Sequence, residues 1–232
     1  MASDGRVPLT MRIALIGCGE VGRILAEDLA PAGHALSVFD LKREATAAFA
    51  EKLGIALAPS HAAAVEGAAL VVSAVTASQA VAVAEAAAPG IAKGAFFLDF
   101  NSASPGAKIR AAGVIDAAGG RYVEGAVMTS VPPYRIKVPL LLGGPHASEL
   151  TPVLNGIGFA AKVASDQLGV ASATKMCRSV MIKGLEAMII EAFTTARHYG
   201  VEDAVPASRT VTATSRTSSL RRRPCSMTRW KK

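Results

Sequence analysis

From Met11 to about Gly143 the chain repeats one unit, a short apolar run followed by a helical pattern. The runs are RIALIG, ALSVFD, ALVVSAV, AFFLDF, RYVEGAV and VPLLLGG, and between them lie GRILAEDLAPAG, REATAAFAEKLG, SQAVAVAEAAAPG and SPGAKIRAAGVIDAAGG. A run such as ALVVSAV does not alternate apolar with polar residues, so neither of its faces suits water. It reads as a strand covered on both sides. Gly or Pro-Gly closes most of the helical segments, as helix C-termini favour. Repetition of strand and helix with short links predicts an α/β fold, a doubly wound and mostly parallel sheet with helices on both faces.

The first strand runs into IGCGEVG, and the three glycines there have separable tasks. Gly17 permits a tight turn, Gly19 leaves the backbone bare for a pyrophosphate, and Gly22 lets the next helix pack closely on the strand. That helix begins near Glu20 and Val21, and its unpaired N–H groups and partial positive charge suit phosphate oxygens. Such a glycine pattern alone is weak, but here a strand precedes it, a helix follows, and the second strand ends in Asp40, 18 residues beyond Gly22. A carboxylate at that point accepts hydrogen bonds from both ribose hydroxyls of NAD and repels a 2′-phosphate. Lys42 and Arg43 follow directly and favour NADP instead, so the cofactor reads as NAD or NADP, with NAD preferred. The reading is a Rossmann-type NAD(P)-binding domain over residues 11–168.

After Gly169 the pattern changes. VASATKMCRSVMIKGLEAMIIEAFTTARHYG has no proline and no strand signal, and reads as one helix of roughly eight turns. Residues 169–203 are therefore expected to start a second, all-α domain. Residues 204–232 lose the helical stripe and carry no acid. They read either as a disordered basic tail or as the product of a reading-frame shift near Ala204–Val205, and both readings leave the helical domain unfinished.

The formal charge of +7 sits in that tail, since residues 209–232 hold eight of the 25 basic residues and none of the 18 acidic ones. A body of about neutral charge with a basic tail argues against a specific nucleic-acid partner. The N-terminus has no apolar signal core and no window approaches the roughly 18 apolar residues of a membrane span. Cys18, Cys177 and Cys225 are far apart and odd in number, so neither a disulfide framework nor a metal site is expected. A cytoplasmic protein without a membrane partner or bound metal is the expectation.

Four segments carry a more specific likeness. IGCGEVG, LDFNSASPG at 98–106, YVEGAVMTSVPP at 122–133 and GVASATKMCRS at 169–179 resemble, in order and spacing, the motifs of the β-hydroxyacid dehydrogenase superfamily, which includes 3-hydroxyisobutyrate and 6-phosphogluconate dehydrogenases. The resemblance implies that Lys175 is the catalytic lysine, with Ser179 as its helper where the family usually has a second asparagine. It implies that Asn101 approaches the cofactor and that Ser102, Thr129 and Ser130 meet the substrate. Val75 and Thr76 are expected to approach the cofactor because ligands of open α/β sheets sit beyond the carboxyl ends of strands. Arg178 stands where the family has its first asparagine and reads either as a partner for a substrate carboxylate or phosphate or as a solvated surface arginine. Lysine chemistry supports the role independently: a desolvated lysine beside the cofactor can exchange a proton with an alcohol while hydride leaves. Ser179 lies about 40° round the helix from Lys175, on the same stripe. The substrate segment departs from the family, reading VMTSVPP where a serine and two glycines are common, with Glu124 in place of an aspartate.

The implied activity is NAD(P)-dependent oxidation of the CH–OH group of a small 3-hydroxyacid, or the reverse reduction, by a homodimer once the helical domain is complete. The alternative is a truncated dinucleotide-binding protein without catalysis, exposing Val180, Met181, Met188, Ile189 and Phe193. Residues read as having no chemical role are Cys18, a small filler in the turn; His34, His61, His146 and His198, at helix ends or in loops; and Asp99, a strand end serving nearby backbone N–H groups.

Overall fold

A computed structural model describes residues 10–206. The chain divides into two compact units, the first running through Arg178 and the second beginning at Ser179. Most of the basic tail, residues 207–232 with Cys225 and Trp230, lies outside the described residues.

The first unit is built on strands β1 (Arg12–Ile16), β2 (Ala35–Phe39), β3 (Ala56–Leu57), β4 (Leu70–Ser73), β5 (Phe96–Asp99), β6 (Arg121–Val127), β7 (Pro139–Gly143) and β8 (Ala160–Ser165). They form one sheet in the order β3-β2-β1-β4-β5-β6-β7-β8. The first six are parallel, β7 runs antiparallel to β6, and β8 is parallel to β7. All six apolar runs of the sequence are strands, so the fold is the expected mostly parallel, doubly wound α/β sheet. The short β3 and the edge strand β8 are additions that sequence reading did not identify.

The alternation of strand side chains divides the core into two layers. Ile13, Leu15, Leu70, Val72 and Leu98 face a layer that includes Leu25 and Leu29 of α1 (Glu20–Leu29) and Phe49 of α2 (Arg43–Leu53). Ala14, Ile16, Val71 and Phe97 face the other, with Val83 and Ala84 of α4 (Ala80–Ala87) and Ala111, Ala112 and Ile115 of α5 (Pro105–Ala117). The helices α3 (His61–Val65) and α6 (Ala147–Gly156) complete the cover. A strand with apolar residues at successive positions can satisfy both layers at once, which is why Leu70, Val71 and Val72 of ALVVSAV follow one another without a polar residue between them. Local stop and start signals agree with these boundaries: Ser104 accepts a hydrogen bond from the Ala107 N–H at 3.3 Å, Pro105 opens α5, and Gly54 ends α2 at φ 65°.

Strand order reverses between β1 and β4. From β1 the chain proceeds outward through β2 and β3, then returns to the other side of β1. In open α/β sheets the loops beyond the carboxyl ends of such a strand pair diverge and leave a crevice between them. Here those loops begin at Gly17, the first glycine of the pattern, and at Ala74.

The helix α7 spans Val170–His198. In the second unit its residues Val180, Met181, Met188, Ile189 and Phe193 are exposed. Among the described residues no helix is long and apolar enough to cross a membrane.

Candidate active site

The turn after β1 does what its glycines allow. Gly17 adopts φ 96°, the left-handed region, and a Cβ there would collide with the Ala74 carbonyl. A Cβ on Gly22 would overlap the Gly17 carbonyl oxygen, so α1 lies against the turn only because that carbon is missing. Gly19 differs: nothing stands within 4 Å of its would-be Cβ, and it faces open space at the N-terminus of α1. Two tight positions and one open one suit the approach of a pyrophosphate to the backbone.

A cavity of about 500 Å³ extends from this turn, lined by Gly17, Gly19, Glu20, Val21, Asp40 and Thr76 among others. Asp40 is anchored at both oxygens, Oδ2 accepting from the Cys18 N–H at 2.7 Å and Oδ1 from the Lys42 N–H at 2.8 Å. Each carboxylate oxygen has a second lone pair, so the anchored group can still accept ribose hydroxyls. Arg43, read as a possible phosphate ligand, donates to the Pro59 carbonyl at 2.8 Å, while Lys42 lines the cavity. Cys18 is buried, and burial pushes its thiol pKa up, in keeping with a filler and not a nucleophile. His61 also lines this cavity, its ring 4.3 Å from that of Phe39. Burial lowers its pKa, partly opposed by Asp40. The sequence showed only a histidine at a helix start; the crevice position follows from α3 packing beside the end of β2.

A second cavity, about 430 Å³, shares Val21, Ala74, Val75 and Thr76 with the first. It is lined further by Asn101, Ser102, Thr129 and Lys175, with Phe100, Val127 and Val131 as an apolar wall. Lys175 Nζ donates to Ser102 Oγ at 2.6 Å. Burial lowers its pKa, and the charge of Lys108 lowers it further. Asn101 lines the cavity, but its amide is engaged: Oδ1 accepts from the Val75 N–H at 2.6 Å and Nδ2 donates to Ser73 Oγ at 3.0 Å. It clamps the loop after β4 against the loop after β5. Arg178 donates to the Met128 carbonyl at 2.8 Å, tying α7 to the loop after β6. Ser130 is exposed on that loop and does not line the cavity. Ser179 begins the second unit.

Behind the second cavity is a charged cluster that sequence reading missed. Lys108 Nζ is fully buried and meets Asp99 Oδ1 at 2.9 Å, donating also to the Asp99 and Gly125 carbonyls at 2.8 and 3.2 Å. Tyr122 donates its hydroxyl to Asp99 Oδ2 at 2.6 Å, and burial with the neighbouring carboxylates raises its pKa far beyond the ordinary range. Burial also depresses the pKa of Lys108, against the opposing pull of Asp99. Desolvating each ion costs several kcal/mol, so a buried pair needs this full set of partners. Asp99 does serve a backbone N–H, that of Asn101 at 2.9 Å, but its larger task is to balance Lys108. Among the described residues no cluster of His, Cys, Asp and Glu could hold a metal ion.

Glycine turn, anchored acid and switch-point crevice together define a dinucleotide-binding α/β domain. The model of the family described as the NAD binding domain of 6-phosphogluconate dehydrogenase matches residues 12–164, and the chain belongs to that family. An uncharacterised 28.5 kDa protein of Methanothermus fervidus is 30% identical over 193 residues, which is 83% of this chain and 74% of that protein. The crystal structure of a conserved hypothetical protein from Sinorhizobium meliloti superposes with a TM-score of 0.78 at 37% identity, covering 89% of this chain and 71% of that one. MTH1747, a conserved protein of unknown function reported to resemble 3-hydroxyacid dehydrogenases, superposes with a TM-score of 0.76 at 29% identity over 88% of this chain and 77% of its own. Three of the four sequence motifs, IGCGEVG, LDFNSASPG and YVEGAVMTSVPP, lie within the matched residues, and GVASATKMCRS at 169–179 lies beyond them.

Proposed function

We propose that the protein is an NAD(P)-dependent oxidoreductase acting on the CH–OH group of a small 3-hydroxyacid, or on the matching carbonyl. The observation that carries this reading is that the cavity lined by Gly17 and Gly19 shares Val21, Ala74, Val75 and Thr76 with the cavity lined by Lys175. A nicotinamide ring supplies hydride exchange at its C4 atom when bound. Gly17, Gly19, Glu20, Val21 and Gly22 receive the pyrophosphate, Asp40 the adenosine ribose, and Val75, Thr76 and the Asn101-clamped loop the nicotinamide half. In the oxidation direction neutral Lys175 takes the hydroxyl proton as hydride departs from the same carbon and the carbonyl forms. In reduction the ammonium returns that proton to the new alkoxide. Ser102 holds Nζ in place, the apolar wall excludes water, and Thr129, in the cavity lining, meets the substrate's polar end, with Arg178 on the adjoining loop contact as a further partner for a substrate anion. Ser179 acts as helper to the lysine, and a homodimer is the proposed assembly.

The pH dependence has a definite sign. Because burial and Lys108 lower the pKa of Lys175, its neutral form is reached below the ordinary lysine value of about 10.4. Oxidation should therefore rise with pH through an inflection below that value, and reduction should fall through the same inflection. Initial rates in both directions across the alkaline range, at saturating dinucleotide, check this.

NAD is the preferred dinucleotide in this reading, since Asp40 opposes a 2′-phosphate. Asp40→Asn keeps an acceptor for the Cys18 N–H but removes the charge. The variant should shift the ratio of NADPH to NADH affinity by about tenfold toward NADPH, or ~1.4 kcal/mol, as read by nicotinamide fluorescence titration. The reading as a whole is tested by mixing the protein with NADH and NADPH and following turnover on a panel of 3-hydroxyacids and their carbonyl counterparts. Binding with turnover supports the enzyme; binding without turnover on any member leaves a dinucleotide-binding protein.

A further inference from the structure

Glu124 stands mid-strand in β6, in register with Asp99 of β5, and is fully buried. Its carboxylate does not pair with a substrate-facing group. Oε2 accepts the Gly169 N–H and Oε1 the Ser172 N–H, each at 2.5 Å. These are donors that helix geometry leaves without a partner at the start of α7. The neighbouring strand makes room for this grip: a Cβ on Gly143 would stand 2.9 Å from Glu124 Oε2 and 3.3 Å from the Ala171 Cβ. Lys175 follows Ser172 by three residues, about one turn. Its acceptor Ser102 hangs three residues beyond Asp99, in the loop that follows the strand paired with that of Glu124. One strand therefore fixes the helical turn that carries the ammonium, and its neighbour fixes the hydroxyl that the ammonium meets.

We propose that Glu124 is a positioning residue for Lys175, gripping the first turn of α7 so that Nζ is held against Ser102 at the wall of the second cavity. The proposal rests on the reading of Lys175 as the proton-transfer group. The charged groups around that ammonium are Lys108, from α5, and Arg178, on α7 itself, whose guanidinium is turned to the Met128 carbonyl. A first turn released from Glu124 moves Lys175 outward, toward water and away from Lys108. Both changes raise its affinity for a proton.

Glu124→Gln keeps the shape but leaves only one acceptor oxygen, so its NH2 group confronts one of the two N–H donors. Gly143→Ala leaves Glu124 intact and presses on Oε2. Competitive acetylation across pH, quantified by mass spectrometry on the peptide containing Lys175 with exposed Lys52 as internal standard, reads the lysine without requiring turnover. In both variants the half-labelling pH of Lys175 should rise toward the ordinary lysine value of about 10.4. NADH affinity should stay within about twofold, and kcat should drop about tenfold with the dinucleotide KM unchanged, a split that general destabilisation would not give. An unchanged Lys175 profile in either folded variant overturns the proposal. Hydrogen exchange on the unsubstituted protein keeps the question open to refutation even where a variant does not fold: Gly169 and Ser172 amides that exchange as fast as exposed loop amides also overturn it. A shifted labelling profile in a protein that turns over no hydroxyacid upholds the positioning role and removes the enzymatic reading instead. Turnover with an unshifted profile does the reverse.

Discussion

Lys175→Met should lower kcat for hydroxyacid oxidation by about 10²–10⁴-fold, the usual contribution of a positioned proton-transfer group, while the dissociation constants of NADH and NADPH change little. Methionine fills nearly the same volume on α7 and removes the ammonium that donates to Ser102 Oγ. The alkaline inflection in the rate should vanish in the residual activity, because the group that titrates there is gone. Steady-state kinetics with parallel fluorescence titrations measure both halves of the result. A variant that keeps wild-type kcat would take Lys175 out of the chemistry, however well the dinucleotide binds.

The glycine turn supplies the second large effect, and its glycines should fail in different ways. In Gly22→Ala the new methyl overlaps the Gly17 carbonyl oxygen, so either α1 or the turn must shift. Overpacking of this kind costs about 1–3 kcal/mol, and the variant should lose thermal stability together with dinucleotide binding. In Gly19→Ala the methyl enters open space, and the glycine already has φ −72°, which alanine adopts freely. Its Tm should match the wild type, while dinucleotide affinity falls about 100-fold because the methyl occupies the approach of the pyrophosphate. Differential scanning fluorimetry with and without NADH separates the two. Equal Tm and equal affinity in Gly19→Ala would mean that phosphate does not lie against this backbone.

What the sequence made legible and what it hid divide along a physical line. The turn glycines, Asp40 and the parallel strands could be read because each answers to its immediate neighbours in the chain. ALVVSAV does not alternate apolar with polar residues because both of its faces are covered, and Ser104 before Pro105 is a local helix start. The cluster of Asp99, Lys108, Tyr122 and Glu124 could not be read in this way. Lys108 looks like any polar residue on a helix, and only the packing of α5 on the sheet buries it beside Asp99. Glu124 meets Gly169 and Ser172 across more than 40 positions, a contact created by strand order and by the entry of α7. His61 reached the dinucleotide crevice through the packing of α3 beside β2. The elements that escaped notice are weak in the same sense: β3 has two residues, β8 carries Lys162 and mostly exposed side chains at the sheet edge, and α6 contains Pro152.

The family relationship accounts for the nucleotide crevice and leaves the chemistry to be tested at the lysine. The crystal structure of the protein with bound NAD is the most direct measurement. The account predicts the pyrophosphate against the backbone N–H groups of the Gly17–Gly22 turn, the ribose hydroxyls on Asp40, and the nicotinamide C4 atom opening onto the cavity lined by Ser102 and Lys175. A dinucleotide bound elsewhere, or one whose nicotinamide ring turns away from that cavity with Lys175 directed to bulk water, would contradict it.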